Sequence, residues 1–275
     1  MKKGTLIYDQ DCPLCVWYTN LFIQLGILNP NERLPYFQAI QDKSLKFNHD
    51  LAQNKIAFVR SSNDEAVYGI DSLLAVLGSR WKWIEIVGNL PGINSLLKLL
   101  YLLISYNRKV IAPVNCDNAI ACTPTKNWFW RITFIGLIAL FLNFSVTHYF
   151  TVHLNSYFVG NHFYGDLLYF LFQFAFQGVF FYLLKQRNFY DYIGQIAFVS
   201  FLGALLLGFF DLGLLFLQSW GFETELLVGI CYGIVYMFMI IEHARRIKIL
   251  GFSGWLTVTW IVYRLLLYPI AFRFF

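Results

Sequence analysis

Long apolar runs in the second half of the chain restrict its fold more than any other feature of the sequence. Five of these runs are long enough, as helices, to cross about 30 Å of hydrocarbon. They lie near residues 128–149, 165–184, 193–217, 225–242 and 254–272. Only 13% of the 275 residues are charged, whereas soluble proteins average about 25%. Residues 128–275 are therefore predicted to form an all-α transmembrane helical bundle of about five spans.

The loops between these runs differ in their content of basic residues. Two basic residues lie in loop 185–192 and three in segment 243–253, whereas loops 151–164 and 218–224 contain no Lys or Arg. Because Lys and Arg collect in cytoplasmic loops, this alternation predicts a cytoplasmic N-terminal region and, with five spans, an external C-terminus. The apolar stretch before Asp9 is too short for the core of a secretory signal, which agrees with that orientation.

Near the start of the chain, a short apolar strand leads directly into Cys12-Pro13-Leu14-Cys15, which opens a predicted helix. Pro13 suits the first helical position, because its missing N–H costs nothing there and its φ is already helical. Cys12 is therefore the predicted N-cap, an exposed position where free backbone N–H groups and the helix dipole favour the thiolate. Cys15, one turn further on, is the predicted resolving thiol.

Two carboxylates beside the thiols oppose this effect. Asp9 and Asp11 favour the neutral thiol, so the sequence leaves the sign of the Cys12 pKa shift open. A redox pair is favoured, because Cys-x-x-Cys on a strand-to-helix turn, in a chain without secretory features, is typical of redox sites. The alternatives are half of a zinc site and simple packing of two small side chains.

A predicted linker over residues 113–127 contains two more cysteines, Cys116 and Cys122. Together with Cys12 and Cys15 they could bind zinc. The spacing between Cys116 and Cys122, however, is wider than the two to four residues that usually separate zinc-binding cysteines. A second redox pair and the absence of any special role are the other interpretations of these two residues.

The motif of eight residues Tyr8-Asp9-Gln10-Asp11-Cys12-Pro13-Leu14-Cys15 resembles the signature of the DCC family of thiol-disulfide oxidoreductases. Tyr68-Gly69-Ile70-Asp71, and Tyr101 with Asn107-Arg108, resemble further parts of that family's pattern, and the resemblance covers about residues 5–124. It implies a thioredoxin-like α/β domain over residues 1–112. The predicted element order βαβαββα, with a helix over 42–53, agrees with such a domain.

The resemblance also implies roles for the residues of the motif. Cys12 would attack as the nucleophile and Cys15 would resolve the mixed disulfide, with Tyr8, Asp9, Asp11 and Pro13 supporting them. The substrate would be a protein or small-molecule thiol or disulfide, and the exchange itself requires no cofactor.

Residues 91–106 form an apolar run that is too short to span a membrane and has Lys98 in its middle. One interpretation is an interfacial helix, after which Arg108 and Lys109 meet anionic headgroups. The other is a buried helix of the N-terminal domain. A net charge of +5 is typical of some nucleic-acid-binding proteins, but here the basic residues flank apolar runs and form no long basic cluster. Nucleic acid binding is therefore excluded.

Polar residues inside the apolar runs are costly in lipid and usually face the interior of a bundle. Asp211, in the outer part of the third run, and Arg264, near the middle of the fifth, are predicted to pair. Cys231, alone in the fourth run, is predicted to be a small packing residue.

Three histidines and a carboxylate are predicted to gather at the outer ends of the first two spans: His148, His153, His162 and Asp166. They could bind a metal or a quinone, although loop histidines at headgroup depth are more often simply interfacial. A quinone that accepts electrons from the dithiol is a narrower hypothesis, for which the sequence contains no establishing motif.

The combined prediction is a multi-pass protein of the bacterial inner (cytoplasmic) membrane, in contact with the lipid bilayer and carrying a cytoplasmic redox-active dithiol. The rival hypothesis is a membrane transporter or sensor whose N-terminal domain is a non-catalytic binding or metal-binding module.

Overall fold

The computed structural model describes residues 4–60, 65–114, 125–154 and 163–274. The chain divides into two compact units, Met1–Arg131 and Ile132–Phe275. The first unit is built on a small mixed sheet with helices, and the second is helical. Cys116, Cys122 and His162, together with the side chain of Asp166, lie outside the described part, so the predictions made for them are not addressed by the structure.

The sheet of the first unit has four strands in the order β2-β1-β3-β4. The strands are β1 Gly4–Tyr8, β2 Arg33–Pro35, β3 Ala57–Arg60 and β4 Ala66–Tyr68. Strand β1 pairs in parallel with β2 and antiparallel with β3, which pairs antiparallel with β4. Because β1 is a central strand, the Cys-x-x-Cys that follows it starts from the middle of the sheet rather than from its edge.

Six helices accompany this sheet in the described part of the first unit. They are α1 Pro13–Gln24, α2 Tyr36–Ala39, α3 His49–Asn54, α4 Ile70–Gly78, α5 Lys82–Gly88 and α6 Pro91–Ile111, with a 3₁₀ turn at Pro30–Glu32. The predicted order βαβαββα agrees with the strands and with α1 and α4. Between β2 and β3, however, the structure has the two short helices α2 and α3 in place of one helix over 42–53.

Successive side chains of β1 pack in different clusters, because neighbouring residues of a strand point to opposite faces of the sheet. Leu6 packs in a core with Phe22 of α1, Phe58 of β3 and Val76 of α4. Ile7 packs instead with a smaller cluster, which consists of Ala39, Ala52, Ala57 and Val59. Both clusters are fully apolar, so burial on either side of β1 fixes its register against β2 and β3.

Helix α6 is attached to the rest of the first unit by one of its faces. Tyr101, Ser105 and Arg108 share this face, because they are spaced by four and three residues. The Ile56 N–H donates to the Tyr101 hydroxyl (2.9 Å) and Ser105 donates to the Asn54 carbonyl (2.7 Å). The interpretation of a buried domain helix therefore holds for the second half of α6.

The second unit consists of the helices that the apolar runs predicted. They are α7 Trp128–Leu154, α8 Phe163–Leu183, α9 Phe189–Ser219, α10 Glu225–Ile249 and α11 Trp255–Phe274. In the described part of the chain, three of them (α7, α9 and α10) are long and apolar enough to cross a membrane. A fourth candidate is the pair α5 and α6, which passes the same test but is bent by 91°. The structure thus supports three to four apolar spans.

Helix α10 extends further than the sequence predicted. Residues 243–249, expected in a loop, continue the helix, and Arg246 is buried there with only 2% of its surface exposed. The Arg246 guanidinium donates to Glu242 one turn earlier and to the Gln195 side chain, both at 2.7 Å. This intrahelical ion pair compensates the buried charge, so Arg246 does not serve as a free charge in a loop.

The predicted pair of Asp211 and Arg264 is wrong, because the structure gives each residue other partners. Asp211 lies between His148 Nδ1 (3.1 Å) and His153 Nε2 (2.8 Å). Arg264 donates to Ser200 Oγ at 3.1 Å. Ser200 precedes Asp211 by 11 residues on α9, which corresponds to about 16 Å along the helix. The two charges therefore lie at different depths.

Two further predictions for the second unit concern the histidine group and Cys231. His148 and His153 meet around Asp211, but no group of three or more His, Cys, Asp or Glu side chains is arranged to hold a metal ion within the ranges that the structure describes. Cys231 packs against the apolar cluster that contains Tyr149 and Val228, in agreement with a packing role.

Candidate active site

The turn between β1 and α1 is shaped by Asp9. Its side-chain oxygen Oδ1 accepts a hydrogen bond from the Asp11 N–H (3.0 Å), and its backbone carbonyl accepts one from the Cys12 N–H (3.4 Å). Such a local side-chain bond to the backbone two residues on stabilises a tight turn. The chain then enters α1 with Pro13 at the first helical position and Cys12 as the N-cap, at φ −94° and ψ 109°.

The two thiols of the motif are free and lie together at the first turn of α1. The Cys12 sulfur accepts a hydrogen bond from the Cys15 N–H at 3.4 Å, which is the capping interaction that the motif predicts. Both residues are buried, Cys12 with 5% and Cys15 with 7% of its surface exposed. The expected exposure of Cys12 is therefore wrong, because an N-cap at the end of a central strand lies among the elements packed on the sheet.

The environment shifts the pKa values of the two thiols in opposite directions. A hydrogen bond from the Cys15 thiol lowers the pKa of Cys12 to about 7, assisted by the Cys15 N–H and the positive charge of Arg108, although burial and Asp9 oppose the shift. The same hydrogen bond raises the pKa of Cys15, and burial and the charge of Cys12 raise it further. Cys12 is thus the thiol that ionises first.

A buried ion pair holds the last turns of α6 next to the motif. Arg108 Nη2 lies 3.1 Å from Asp9 Oδ2, and their side chains are only 7% and 8% exposed. Arg108 also donates to the Gln53 carbonyl at 3.3 Å. Burial raises the pKa of Asp9, while the Arg108 charge acts against this rise. Arg108 therefore does not meet headgroups, as the sequence had suggested, but belongs to the site.

A second arginine, Arg33 of β2, supports the first turns of α1. Its guanidinium donates to the Thr19 hydroxyl (3.1 Å) and lies over the Tyr8 ring, 5.2 Å from the ring centre. Thr19 in turn donates to the Cys15 carbonyl at 2.8 Å. Tyr8 is thus connected to the dithiol helix by the contacts of Arg33 and Thr19. The sequence motif indicated neither of these two residues.

A cleft of about 50 Å³ lies beside Cys15. Its walls include Tyr18 of α1 together with Tyr101, Ser105 and Arg108 of α6. This volume is enough for one or a few water molecules or a small substrate group. The cleft therefore places a few polar groups, including the Ser105 hydroxyl and the Arg108 guanidinium, beside the resolving thiol, while most of its surface is apolar.

The sequence does indicate a role for Arg108 in the site, although the apolar run that precedes it favours a position at the membrane surface equally well. Tyr101, Asn107 and Arg108 stood out in the motif resemblance, and the spacing of Tyr101, Ser105 and Arg108 places polar groups on one face of an apolar helix. A stripe of this kind indicates a polar partner inside the domain.

Comparison with known proteins identifies a family for the first part of the chain. Residues 6–112 match the family model described as DCC1-like thiol-disulfide oxidoreductase, which confirms the resemblance seen in the motif of eight residues. The matched segment runs from β1 to the end of α6 and so includes the dithiol, Asp9 and Arg108. No curated protein and no solved structure matches the chain.

The buried ion pair leads to a stability prediction. Replacing Arg108 by Leu leaves the Asp9 carboxylate buried without its counter-charge, so we expect the first unit to lose about 3–5 kcal/mol of unfolding free energy. The double variant Asp9→Asn, Arg108→Leu should lose less, because no buried charge is left alone. Pulse proteolysis of the full chain in detergent over a urea series, read on fragments of the first unit, measures these changes.

The exposed ion pair of Lys98 and Asp71, 3.3 Å apart, provides the matched control. Lys98→Leu should cost less than about 1 kcal/mol, because the pair is half-exposed and screened by solvent. An Arg108→Leu variant no less stable than Lys98→Leu would contradict the role assigned to the buried pair.

The pKa of Cys12 leads to a prediction about its reactivity. Only the thiolate is alkylated, so the rate at Cys12 should rise with pH and reach half of its maximum near pH 7, where the pKa is about 7. Cys15→Ala should move this midpoint to higher pH, because it removes the hydrogen bond that lowers the pKa most. Cys15→Ser keeps an O–H donor and should move it less.

Iodoacetamide labelling, with the Cys12 peptide quantified by mass spectrometry, gives the midpoint of each variant. Equal midpoints for Cys15→Ala and Cys15→Ser would rule out this hydrogen bond as the cause of the lowered Cys12 pKa.

Proposed function

We propose that the chain is a membrane-anchored thiol-disulfide oxidoreductase that acts through its Cys12–Cys15 dithiol. The observation that carries the proposal is the pair of free thiols at the first turn of α1, where the Cys12 sulfur accepts the Cys15 N–H at 3.4 Å. The DCC1-like match over residues 6–112 supports it. In this proposal the small mixed sheet and its helices form a thioredoxin-like domain, and the second unit forms a bundle of five spans.

The reaction begins at Cys12. Its thiolate attacks one sulfur of a substrate disulfide, which forms a Cys12–substrate mixed disulfide and releases the other substrate sulfur as a thiolate. Cys15 then loses its proton and attacks the Cys12 sulfur, which releases the second substrate thiolate and leaves a Cys12–Cys15 disulfide. The substrate is reduced by two electrons and the dithiol is oxidised by two. The reverse sequence oxidises a substrate dithiol.

The order of the two steps follows from the interaction of the thiols. While Cys12 is a thiolate, its hydrogen bond and its charge raise the pKa of Cys15. In the mixed disulfide this charge is gone, so the cost of ionising Cys15 falls when its attack is needed. Arg108, in the wall of the cleft beside Cys15, also favours this ionisation, because its positive charge lowers the pKa of Cys15.

Substrates approach Cys12 at the N-terminal end of α1. Pro13 and Trp17 are both exposed, and because they are four residues apart they share one face of this helix. Trp17 has 63% of its surface exposed and so presents a large apolar side chain beside the dithiol helix's N-terminal end. We propose that this face contacts the protein or small-molecule thiol or disulfide. The exchange needs no cofactor, because the substrate itself accepts or supplies the electron pair.

The proposed location is the bacterial inner membrane, with the dithiol on the cytoplasmic side and the lipid bilayer around the second unit. Three helices long and apolar enough to span a membrane support the anchoring. The orientation rests on Lys185 and Arg187, which are both exposed between α8 and α9.

Trapping of intermediates tests the proposed chemistry. Cys15→Ser removes the resolving thiol, so we expect mixed disulfides between Cys12 and partner thiols to accumulate, whereas Cys12→Ser should accumulate none. Non-reducing electrophoresis of the full-length protein from cells, followed by mass spectrometry of the adducts, provides the measurement. Cys231→Ser is the matched control, since Cys231 packs in the second unit and should leave the adduct pattern unchanged.

If Cys15→Ser forms no adducts, or Cys12→Ser forms as many, the oxidoreductase proposal fails. The transporter or sensor with a non-catalytic N-terminal module would then become the better account, and zinc analysis of the purified chain would test its metal-binding form.

Reporter fusions test the proposed topology. A reporter fused after residue 127 should read as cytoplasmic and one fused after Phe275 as external, because basic loops stay on the cytoplasmic side. A cytoplasmic reading at both sites would indicate an even number of spans, such as four. An external reading after residue 127 would overturn the orientation and place the dithiol on the other side of the membrane.

A further inference from the structure

The second unit contains a cleft of about 50 Å³ to which all five of its helices contribute. Most of its wall is apolar, with Leu142 of α7, Leu207 of α9, and Val235 and Met239 of α10. The polar part includes Tyr236 of α10 and Arg264 of α11. A cleft with one cationic group in an apolar wall has the composition of a small-molecule site.

Arg264 is surrounded by neutral groups. Its Nη2 donates to the Gln173 side chain (3.0 Å) and to Ser200 Oγ (3.1 Å), and its guanidinium lies 4.7 Å from the centre of the Trp260 ring. Its Nε is buried without a hydrogen-bond partner. No carboxylate forms an ion pair with Arg264 in the part of the chain that the structure describes, and the carboxylate of Asp211 is bound by His148 and His153.

Among the described side chains, none compensates the positive charge of the half-buried Arg264 inside this apolar helical unit. A charged side chain at such a depth is costly and normally pairs with an opposite charge. The guanidinium has donors left over in a planar fork, which matches the two oxygens of a carboxylate. The Tyr236 hydroxyl, also buried without a hydrogen-bond partner, adds a further donor in the same cleft.

We propose that this cleft binds the carboxylate of a lipid-soluble acid, such as a long-chain fatty acid. Arg264 pairs with the carboxylate, Tyr236 donates to it, and the alkyl chain lies along the apolar wall. A cleft of about 50 Å³ accommodates a carboxylate with its first methylene groups. A neutral carbonyl would accept the same hydrogen bonds without compensating the charge, so the acid is the favoured ligand.

Binding of hexadecanoate to the full chain tests the proposal, with the protein in nanodiscs of zwitterionic lipid and empty nanodiscs as the blank. Labelled hexadecanoate should bind saturably, at about one molecule per chain. Methyl hexadecanoate and hexadecanol have the same chain length without the charge, and they should bind at least about tenfold more weakly, because a charge-assisted pair is lost. The ester retains a carbonyl acceptor, so it separates the effect of charge from that of hydrogen bonding.

Variants of the cleft give the second arm of the experiment. Arg264→Gln should weaken hexadecanoate binding at least about tenfold. Arg264→Lys keeps the charge but loses the planar fork and the contact with the Trp260 ring, so its affinity should lie between those of Arg264→Gln and the wild type. Tyr236→Phe removes only the hydroxyl and should weaken binding a few-fold without disturbing the helices. Arg187→Gln removes an exposed arginine between α8 and α9 and serves as the matched control, with unchanged affinity expected.

Three results would overturn the proposal: no saturable binding to the wild type, equal affinity for the acid and its methyl ester, or equal affinity of the wild type and Arg264→Gln. If Arg264→Gln fails to fold, the comparison of acid with ester on the wild type and the Tyr236→Phe variant still decide the question. None of these outcomes depends on the dithiol, so the proposal stands or falls independently of the oxidoreductase chemistry.

Discussion

The buried ion pair between Arg108 and Asp9 connects residues 99 positions apart at the dithiol, and the arrangement of the first unit depends on it. Burying two charges is expensive unless their remaining hydrogen-bonding capacity is used. Here Asp9 also accepts the Asp11 N–H, and Arg108 also donates to the Gln53 carbonyl. The ion pair therefore joins the turn that precedes Cys12 to α6 and to the segment before β3, to which Tyr101 and Ser105 also attach α6.

The same ion pair explains why neither of its charges alone determines the reactivity of the dithiol. Arg108 lowers the pKa of Cys12 and Asp9 raises it, so their effects largely oppose each other. The hydrogen bond between the thiols then has the largest effect, and it depends only on the geometry of the first turn of α1. The reactive thiol is thus selected mainly by the hydrogen bond between the two thiols, with the backbone cap of α1 assisting it.

The sequence predicts the local part of this site well. A strand, a proline at the first helical position and a thiol at the N-cap follow from short-range rules, and all three occur at β1, Pro13 and Cys12. The burial of Cys12 and the partner of Arg108 could not be predicted in the same way. Both depend on where α6 packs, and an apolar helix can pack on a sheet or on a membrane with the same hydropathy pattern. The polar face at Tyr101, Ser105 and Arg108 separates a helix on the sheet from a helix on the membrane. It does so only when its hydrogen-bond partners in the segment before β3 are known.

In the second unit, hydropathy identifies the helices but does not define the depth of each residue. The α9 helix has 31 residues, which is longer than a span requires, so position along the sequence left open whether Asp211 and Arg264 were level. The actual neighbours of Asp211 are His148 and His153, which leaves Arg264 among neutral groups. Both units thus place a guanidinium beside a cleft, but of these two arginines only Arg108 pairs with a carboxylate among the residues that the structure describes. For Arg264 we propose that the negative charge comes from another molecule, and the apolar wall of its cleft favours one that is soluble in lipid.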